Sequence, residues 1–404
     1  MKFLSSICLA LLALSGNCLG ATHYLSPSDD KLSGEIRALS PIDKEGEIIW
    51  ALLTEQFTSV YEQGDYLQAK TIAAQAWNIA KQVYGPQHSN SADSLTKLGI
   101  AYQALGDRQA AKGALLDALA ILRRTLSPDD PDLAVTLTNL GNIYFEAGEF
   151  AKSEQAHRQA LQLRRHAFGE MDSSVAQSLF NLGVLYDQQT DFAHAADCYQ
   201  RAIAIWAASL GPQHPYIGRA LQHLTYSYLA AERFDAASQT QQRIIDYIKA
   251  THGARHQEVA KSLIDLGAIY VEQGNYQRAG RAYHEALNIA EAILTPEDPQ
   301  LALLLYTLGN VYHLQARGQT SPVALHAEQN SNTSQDKPPA DNQQLYNQAL
   351  PLYERALAIL DHASAQDFAS TRQVILSELS LLYSELGENG KARAAQLRLS
   401  VIAP

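Results

Sequence analysis

The sequence is poor in residues that staple a chain, hold a metal or cross a membrane. It has three cysteines in 404 residues. Two of them, Cys8 and Cys18, lie in an N-terminal leader expected to be removed. Cys198 then stands alone, so no intrachain disulfide forms in any redox compartment. Lys and Arg number 31 against 42 Asp and Glu, a formal net charge of −11. That balance excludes the basic footprint of a nucleic-acid binder and disfavours anionic membrane surfaces. Beyond the leader there is no apolar run of the about 18 residues that a membrane span needs. Also missing are Gly-x-Ser-x-Gly, His-Glu-x-x-His, the Walker loop, the dinucleotide fingerprint and the calcium loop. The chain therefore reads as a non-enzyme with no cofactor and no metal.

The leader spans residues 1–20. Lys2 gives it a positive start, Phe3 to Leu14 form a short apolar run, and Ser15-Gly16-Asn17 break that run. This is the pattern of a secretory signal, with Cys18 and Gly20 as the small residues before cleavage after Gly20. Export to a periplasm or to the exterior is the expectation. A lipid anchor on Cys18 is the rival, and Asn17 speaks against it where a small residue is expected. Removal of Lys2 takes the net charge from −11 to −12. Residues 21–45 hold Ser26-Pro27 and Ser40-Pro41 turn signals without apolar periodicity, and read as a tether.

What the chain does have is repetition. Leu-Gly-x-x-Tyr stands at Leu98–Tyr102, Leu140–Tyr144, Leu182–Tyr186, Leu266–Tyr270 and Leu308–Tyr312, with a Thr225 variant at Leu224–Tyr228, every step being 42 residues. Such register makes this a repeat protein. In one unit, Leu266, Ile269, Tyr270 and Gln273 follow helical spacing. Gly274-Asn275 ends that helix. Tyr276, Ala279, Tyr283, Ala286 and Leu287 form the stripe of a second. Thr295-Pro296-Glu297-Asp298-Pro299 closes the unit, with proline suited to a helix's first turn. Such a hairpin cannot bury its stripe alone and needs stacked neighbours. Gly99, Gly141, Gly183 and Gly267, mid-helix at a cost of about 1 kcal/mol each, imply close helix approach, as do Ala69, Ala111, Ala195, Ala237 and Ala279.

These residues resemble the tetratricopeptide repeat, whose usual length is about 34 residues. The longer period and the Leu210-Gly211-Pro212-Gln213-His214-Pro215 linker are similar to the kinesin-light-chain type, found also in bacterial proteins. HEAT and armadillo arrays share the period but give no reason for Leu-Gly-x-x-Tyr. The resemblance implies an all-α, right-handed superhelical solenoid of about eight helix-turn-helix hairpins. Repeats are expected over 46–315, a polar insertion at 316–343 within a hairpin, and C-terminal repeats with a cap over 344–404. The second helix after the insertion resumes at Tyr346, 70 rather than 42 residues beyond Tyr276. A loop of that length costs little, and its composition does not order itself.

The resemblance also implies that each first helix lines a concave groove. The residue before the Leu-Gly pair is Lys97, Asn139, Asn181, His223, Asp265 and Thr307 in turn. Asn139 and Asn181 are similar to groove asparagines that hold a peptide backbone, since an amide both donates and accepts. Asn142 and Asn310 lie one turn on. Arg219 and Lys261 share a register position and make a cationic pair suited to a carboxylate. Phe180 and Tyr306 are the apolar anchors. The expected function is an exported scaffold binding a peptide segment of a protein partner. The alternatives are a spacer recruiting partners through 316–343, and an accessory domain of an envelope enzyme. Gly85-Pro86-Gln87-His88 and Gly211-Pro212-Gln213-His214 alternate with Ser127-Pro128-Asp129-Asp130 and Thr295-Pro296-Glu297-Asp298, so His and Asp share one loop position, expected to cap helices. Cys198 falls at a small-residue packing position, and His194 beside it finds no third metal ligand.

Overall fold

The computed structural model describes residues 41–318, 340–362 and 368–402. The leader, most of the tether and residues 319–339 of the expected insertion lie outside the described residues. Every regular element among the described residues is an α-helix, and the helices follow one another in eight pairs. These are α1 (Pro41–Glu62) with α2 (Tyr66–Val83), α3 (Ser89–Ala104) with α4 (Arg108–Thr125), α5 (Leu133–Glu146) with α6 (Phe150–Phe168), and α7 (Ser173–Gln188) with α8 (Phe192–Ser209). They continue as α9 (Pro215–Ala230) with α10 (Phe234–His252), α11 (Gln257–Glu272) with α12 (Tyr276–Ile293), α13 (Pro299–Ala316) with α14 (Ala340–His362), and α15 (Ala369–Glu385) with α16 (Asn389–Ile402). The chain divides into two compact units on either side of residue 220, within α9. α1 starts at Pro41 and α14 at Ala340, each a few residues ahead of the expected border. Pro41 suits a helix's first position because its missing N–H needs no partner there.

The small residues seen in the repeat explain how closely each pair packs. A Cβ built on Gly99 would lie 2.6 Å from Leu115, on Gly141 2.6 Å from His157, on Gly183 2.6 Å from Tyr199 and on Gly267 2.7 Å from Tyr283. One large residue of the second helix thus lies over the glycine of the first, sixteen positions on in each case. The alanines expected to recur on the second helices, Ala69, Ala111, Ala195, Ala237 and Ala279, are all fully buried. The hairpin turn demands a positive φ at one register position. Gly64, Gly106, Gly148 and Gly274 supply it, and Thr190 (φ 59°) and Glu232 (φ 55°) take the same conformation without glycine's freedom.

The loop position shared by His and Asp does cap the following helix. The Nδ1 atoms of His88, His214 and His256 accept from the amides of Asn90, Tyr216 and Glu258 at 3.1, 3.4 and 3.3 Å. Asp172 and Asp298 accept from Ser174 and Gln300, each at 2.8 Å. Asp130 accepts from Asp132 at 2.9 Å, although the regular helix begins only at Leu133.

Candidate functional site

α5 and α7 are buried almost all round, and this decides the state of the expected groove residues. Asn139 is buried on α5, where its Nδ2 donates to the Val135 carbonyl at 2.9 Å and its Oδ1 has no partner. Asn142 is buried one turn on, with Nδ2 unpartnered. Asn181 of α7 accepts from Gln177 Nε2 at 3.0 Å through Oδ1, and its Nδ2 is also unpartnered. Neighbouring helix pairs within residues 41–220 thus hold three buried amides with hydrogen-bonding capacity to spare. A buried polar group without a partner costs about 1–3 kcal/mol.

Phe180, expected as an anchor, lies among other aromatic rings. Its ring is buried in the core, 5.5 Å from Tyr199 and 5.8 Å from Trp206. The Arg219 guanidinium, expected to meet a carboxylate, belongs to a half-buried side chain on α9. It lies 4.7 Å over the Phe180 ring, where the π-cloud attracts it. Lys261 is exposed and one helical turn from Asp265. Burial raises the Asp265 carboxyl to about 6, and the Lys261 charge opposes that rise. Arg219 and Lys261 fall in different compact units. Tyr306 is half-buried, 5.8 Å from the Tyr353 ring, and burial pushes its phenol well above the usual range. His223 and Asn310 are half-buried on α9 and α13.

Tyrosines of the Leu-Gly-x-x-Tyr element pack at the edge of the core and carry a cation on their outer side. Lys112 lies 5.0 Å over Tyr144, Arg233 4.8 Å over Tyr228 and Arg278 5.7 Å over Tyr270. Cys198 is buried, and burial followed by the Asp197 charge pushes its thiol up to about 12. His194 turns to Asp191, 2.7 Å away. Among the described residues no three His, Cys, Asp or Glu side chains converge as a metal site, and no helix is long and apolar enough to cross a membrane.

Sequence reasoning passed over His157, Arg164 and His313 among the buried ionisable residues. His157 fills the space opposite Gly141, a place where the register puts Leu115, Tyr199 and Tyr283. Arg164 is buried on the same helix and donates to Ser178 Oγ at 2.5 Å. His313 of α13 is buried between Glu378 and Glu385 of α15, 3.3 and 2.8 Å away. The first two were visible as polar residues in apolar register columns. The third joins segments on opposite sides of the insertion, where the register is broken.

The sequence model of the tetratricopeptide repeat matches residues 58–124, 110–166, 132–207, 174–250, 226–292 and 258–320 in overlapping pieces. No curated protein matches the chain. Among solved structures, BtubC (BKLC) from P. vanneervenii is similar at 21% identity and TM-score 0.45, over 60% of this chain and 92% of that one. A putative kinesin light chain of Podosopora anserina with nearly identical TPR-like repeats shares 19% identity at TM-score 0.44, over 53% of this chain and 99% of its own. The signal-transduction ATPase with numerous domains from Pyrococcus horikoshii, which carries a tetratricopeptide repeat sensor, shares 15% identity at TM-score 0.51. That match covers 67% of this chain and 41% of the ATPase, and it speaks to fold alone. With the family model matched across residues 58–320, well over half of its length, the chain belongs to the tetratricopeptide repeat family, whose arrays serve in general as protein-interaction scaffolds.

Proposed function

We propose that this protein is an exported scaffold that holds an extended peptide segment of a protein partner against the first helices of its repeats. The observation that carries the reading is the set of unpartnered amide atoms, Asn139 Oδ1, Asn142 Nδ2 and Asn181 Nδ2. An extended backbone offers both N–H and C=O, and an amide side chain matches either. Because these amides are buried, the helices packed around them have to move before a partner reaches them. The hydrogen bonds gained then offset part of the cost of opening. Binding rather than catalysis accounts for these residues without a nucleophile or an acid–base pair.

The test compares crosslinking capture from a native envelope fraction by the wild type and by Asn139→Ala/Asn181→Ala. The expected result is a partner captured by the wild type and lost by a variant that is equally helical. Unchanged capture, with a variant more stable than the wild type, would show that the amides are only a burden on the core. Export has its own readout. The intact mass of the native protein should begin at Ala21, whereas a lipid-modified N-terminal Cys18 or a retained Met1 would overturn cleavage after Gly20.

A further inference from the structure

Junctions between helix pairs in residues 41–220 are built to one plan. The residue four places before the Leu-Gly pair on the incoming first helix is pressed onto the preceding pair. Trp50 Nε1 donates to Ser94 Oγ at 2.9 Å, Thr96 and Thr136 share a hydroxyl hydrogen bond of 2.9 Å, and Arg164 reaches Ser178. Ser94, Thr136 and Ser178 are all buried. On α1 the same register position is Leu52, which is 59% exposed, and Ile48 one turn before it is 61% exposed. Among the described residues no helix pair precedes α1.

The outgoing face is uncovered on α15. Its Leu379–Tyr383 stretch repeats Leu308–Tyr312, with Ser380 in place of glycine. Ser377 thereby falls in register with Thr96 and Thr138, and Leu381 with Ile100 and Asn142. Those four are buried. Ser377 is exposed, and Leu381 and Val374 are 40% and 42% exposed on the same helix face. Among the described residues α1 is therefore an incoming helix without a preceding pair, and α15 an outgoing one without a following pair.

We propose that these two faces pack on each other between copies of this chain, head to tail, as the two halves of one more repeat junction. Charge favours a second copy in that orientation. Residues 44–62 carry Glu45, Glu47, Glu55 and Glu62 against Lys44, whereas α16, which pairs with α15, carries Lys391, Arg393 and Arg398 and no acid. Lys391 and Arg398 already meet Glu388 and Asp361, each at 2.7 Å. Arg393 is exposed, and it is the cation we assign to the α1 glutamates. Opposite charge orients the encounter and weakens with salt. A head-to-tail contact is heterologous, so it adds copies until a ring closes or a filament grows.

The test is sedimentation of the purified chain over a wide concentration range. The wild type should grow in mass with concentration. Ile48→Glu/Leu52→Glu and Val374→Glu/Leu381→Glu should each weaken self-association by about tenfold to a hundredfold, since each removes two apolar side chains from the contact. Mixed together, the two variants should form dimers and stop there, because each keeps one intact face. Arg393→Glu, which leaves the apolar contact alone, should lower affinity less and flatten its salt dependence. All four substituted apolar residues are partly exposed, and unchanged helicity checks that the fold survives. A wild type that stays monomeric at every concentration, with α1 covered by residues 21–40 or simply hydrated, overturns the proposal. So does a mixture that forms no dimer, a single variant that dimerises on its own, which would mark a symmetric contact, or assembly that ignores both face variants.

Discussion

His157 and His313 are equally buried, each about 2% exposed, and each sits on a helix of a repeat pair. One belongs to residues 41–220 and the other to residues 221–402. Burial penalises the charged imidazolium in both, but their neighbours differ in sign. His157 lies against Gly141 with Nδ1 unpartnered; burial, then the charge of Arg164, pushes its pKa down to about 3. At His313 burial again opposes the charge. There, hydrogen bonds and the negative charges of Glu378 and Glu385 win, and the pKa is raised. Arg317 adds a cation 3.6 Å from Glu385, and Tyr346 and Tyr353 meet the imidazole in T-shaped ring contacts. Thus the same fold disfavours the charged form of one histidine, a core residue, and favours it in the other, which clasps α13 to α15. Burial alone does not tell which.

The largest expected effect is the acid response of residues 41–220. Unfolded, His157 titrates near 6.5; folded, it resists protonation down to about 3. Above pH 6.5 both states are neutral and this residue adds no pH dependence. Below it the unfolded chain binds a proton that the folded one excludes. Stability then falls by about 1.4 kcal/mol per pH unit until the folded group also titrates. Trp50, Trp77 and Trp206 are the three tryptophans of the chain, so indole fluorescence in denaturant follows this unit alone. His157→Leu, the residue type of Leu115 in the same register, should flatten that slope. An unchanged slope would move the acid sensitivity elsewhere.

The opposite response is expected around α15. The raised pKa of His313 means that its contribution is fully present below pH 6.5 and is lost as pH rises through the folded value. His313→Ala leaves Glu378 and Glu385 facing the gap without their imidazole partner. Their side chains are 30% and 22% exposed, so the loss should be smaller than for a fully buried pair, about 2–3 kcal/mol. Hydrogen exchange resolved over α13, α15 and α16 is the measurement. Protection of α15 that stays constant as pH rises above neutrality would break the contrast with His157.

A third effect compares the two hairpin turns that lack glycine. Thr190 and Glu232 take the left-handed conformation in which other repeats use Gly64, Gly106, Gly148 and Gly274. β-branched threonine suffers more there than an unbranched side chain. Thr190→Gly should therefore stabilise by about 1 kcal/mol and Glu232→Gly by less. Equal gains would mean that side-chain branching at the turn is immaterial.

Fold and turn chemistry were legible because a fixed register lets one repeat be checked against another. The glycine columns, the buried alanines and the capping place at His88, Asp130, His214 and Asp298 all follow from it, and the column extends to Asp172 and His256. The groove was less legible. Spacing along α5 places Asn139 off the core stripe, yet it is buried, because the neighbouring helices close over that side as well. Phe180 occupies a groove position by spacing and enters the core because Trp206 and Tyr199 are large enough to meet it. Register gives the direction of a side chain, not how far the next helix pair leans over it.

The smallest expected effect concerns the helix caps, and it extends the contrast between the histidines to the surface. His88 caps α3 through Nδ1, which accepts from Asn90 at 3.1 Å, while its ring stacks on Tyr84 at 4.9 Å. Burial lowers its pKa. Protonation abolishes the acceptor and puts a positive charge at the positive end of the helix dipole. The contribution is thus present above pH 6.5 and lost as pH falls through the lowered folded value. Asp298 holds the same place on α13, and a carboxylate keeps its charge to about pH 4. His88→Asp should accordingly change little at pH 8, where lost stacking offsets gained charge, and add about 0.5–1 kcal/mol at pH 5. The measurement belongs in the His157→Leu background, where the larger acid slope has been removed and tryptophan fluorescence can resolve a difference of this size. A gain of equal size at both pH values would mean that the substitution acts through packing on Tyr84 and that the imidazole cap does not titrate in that range.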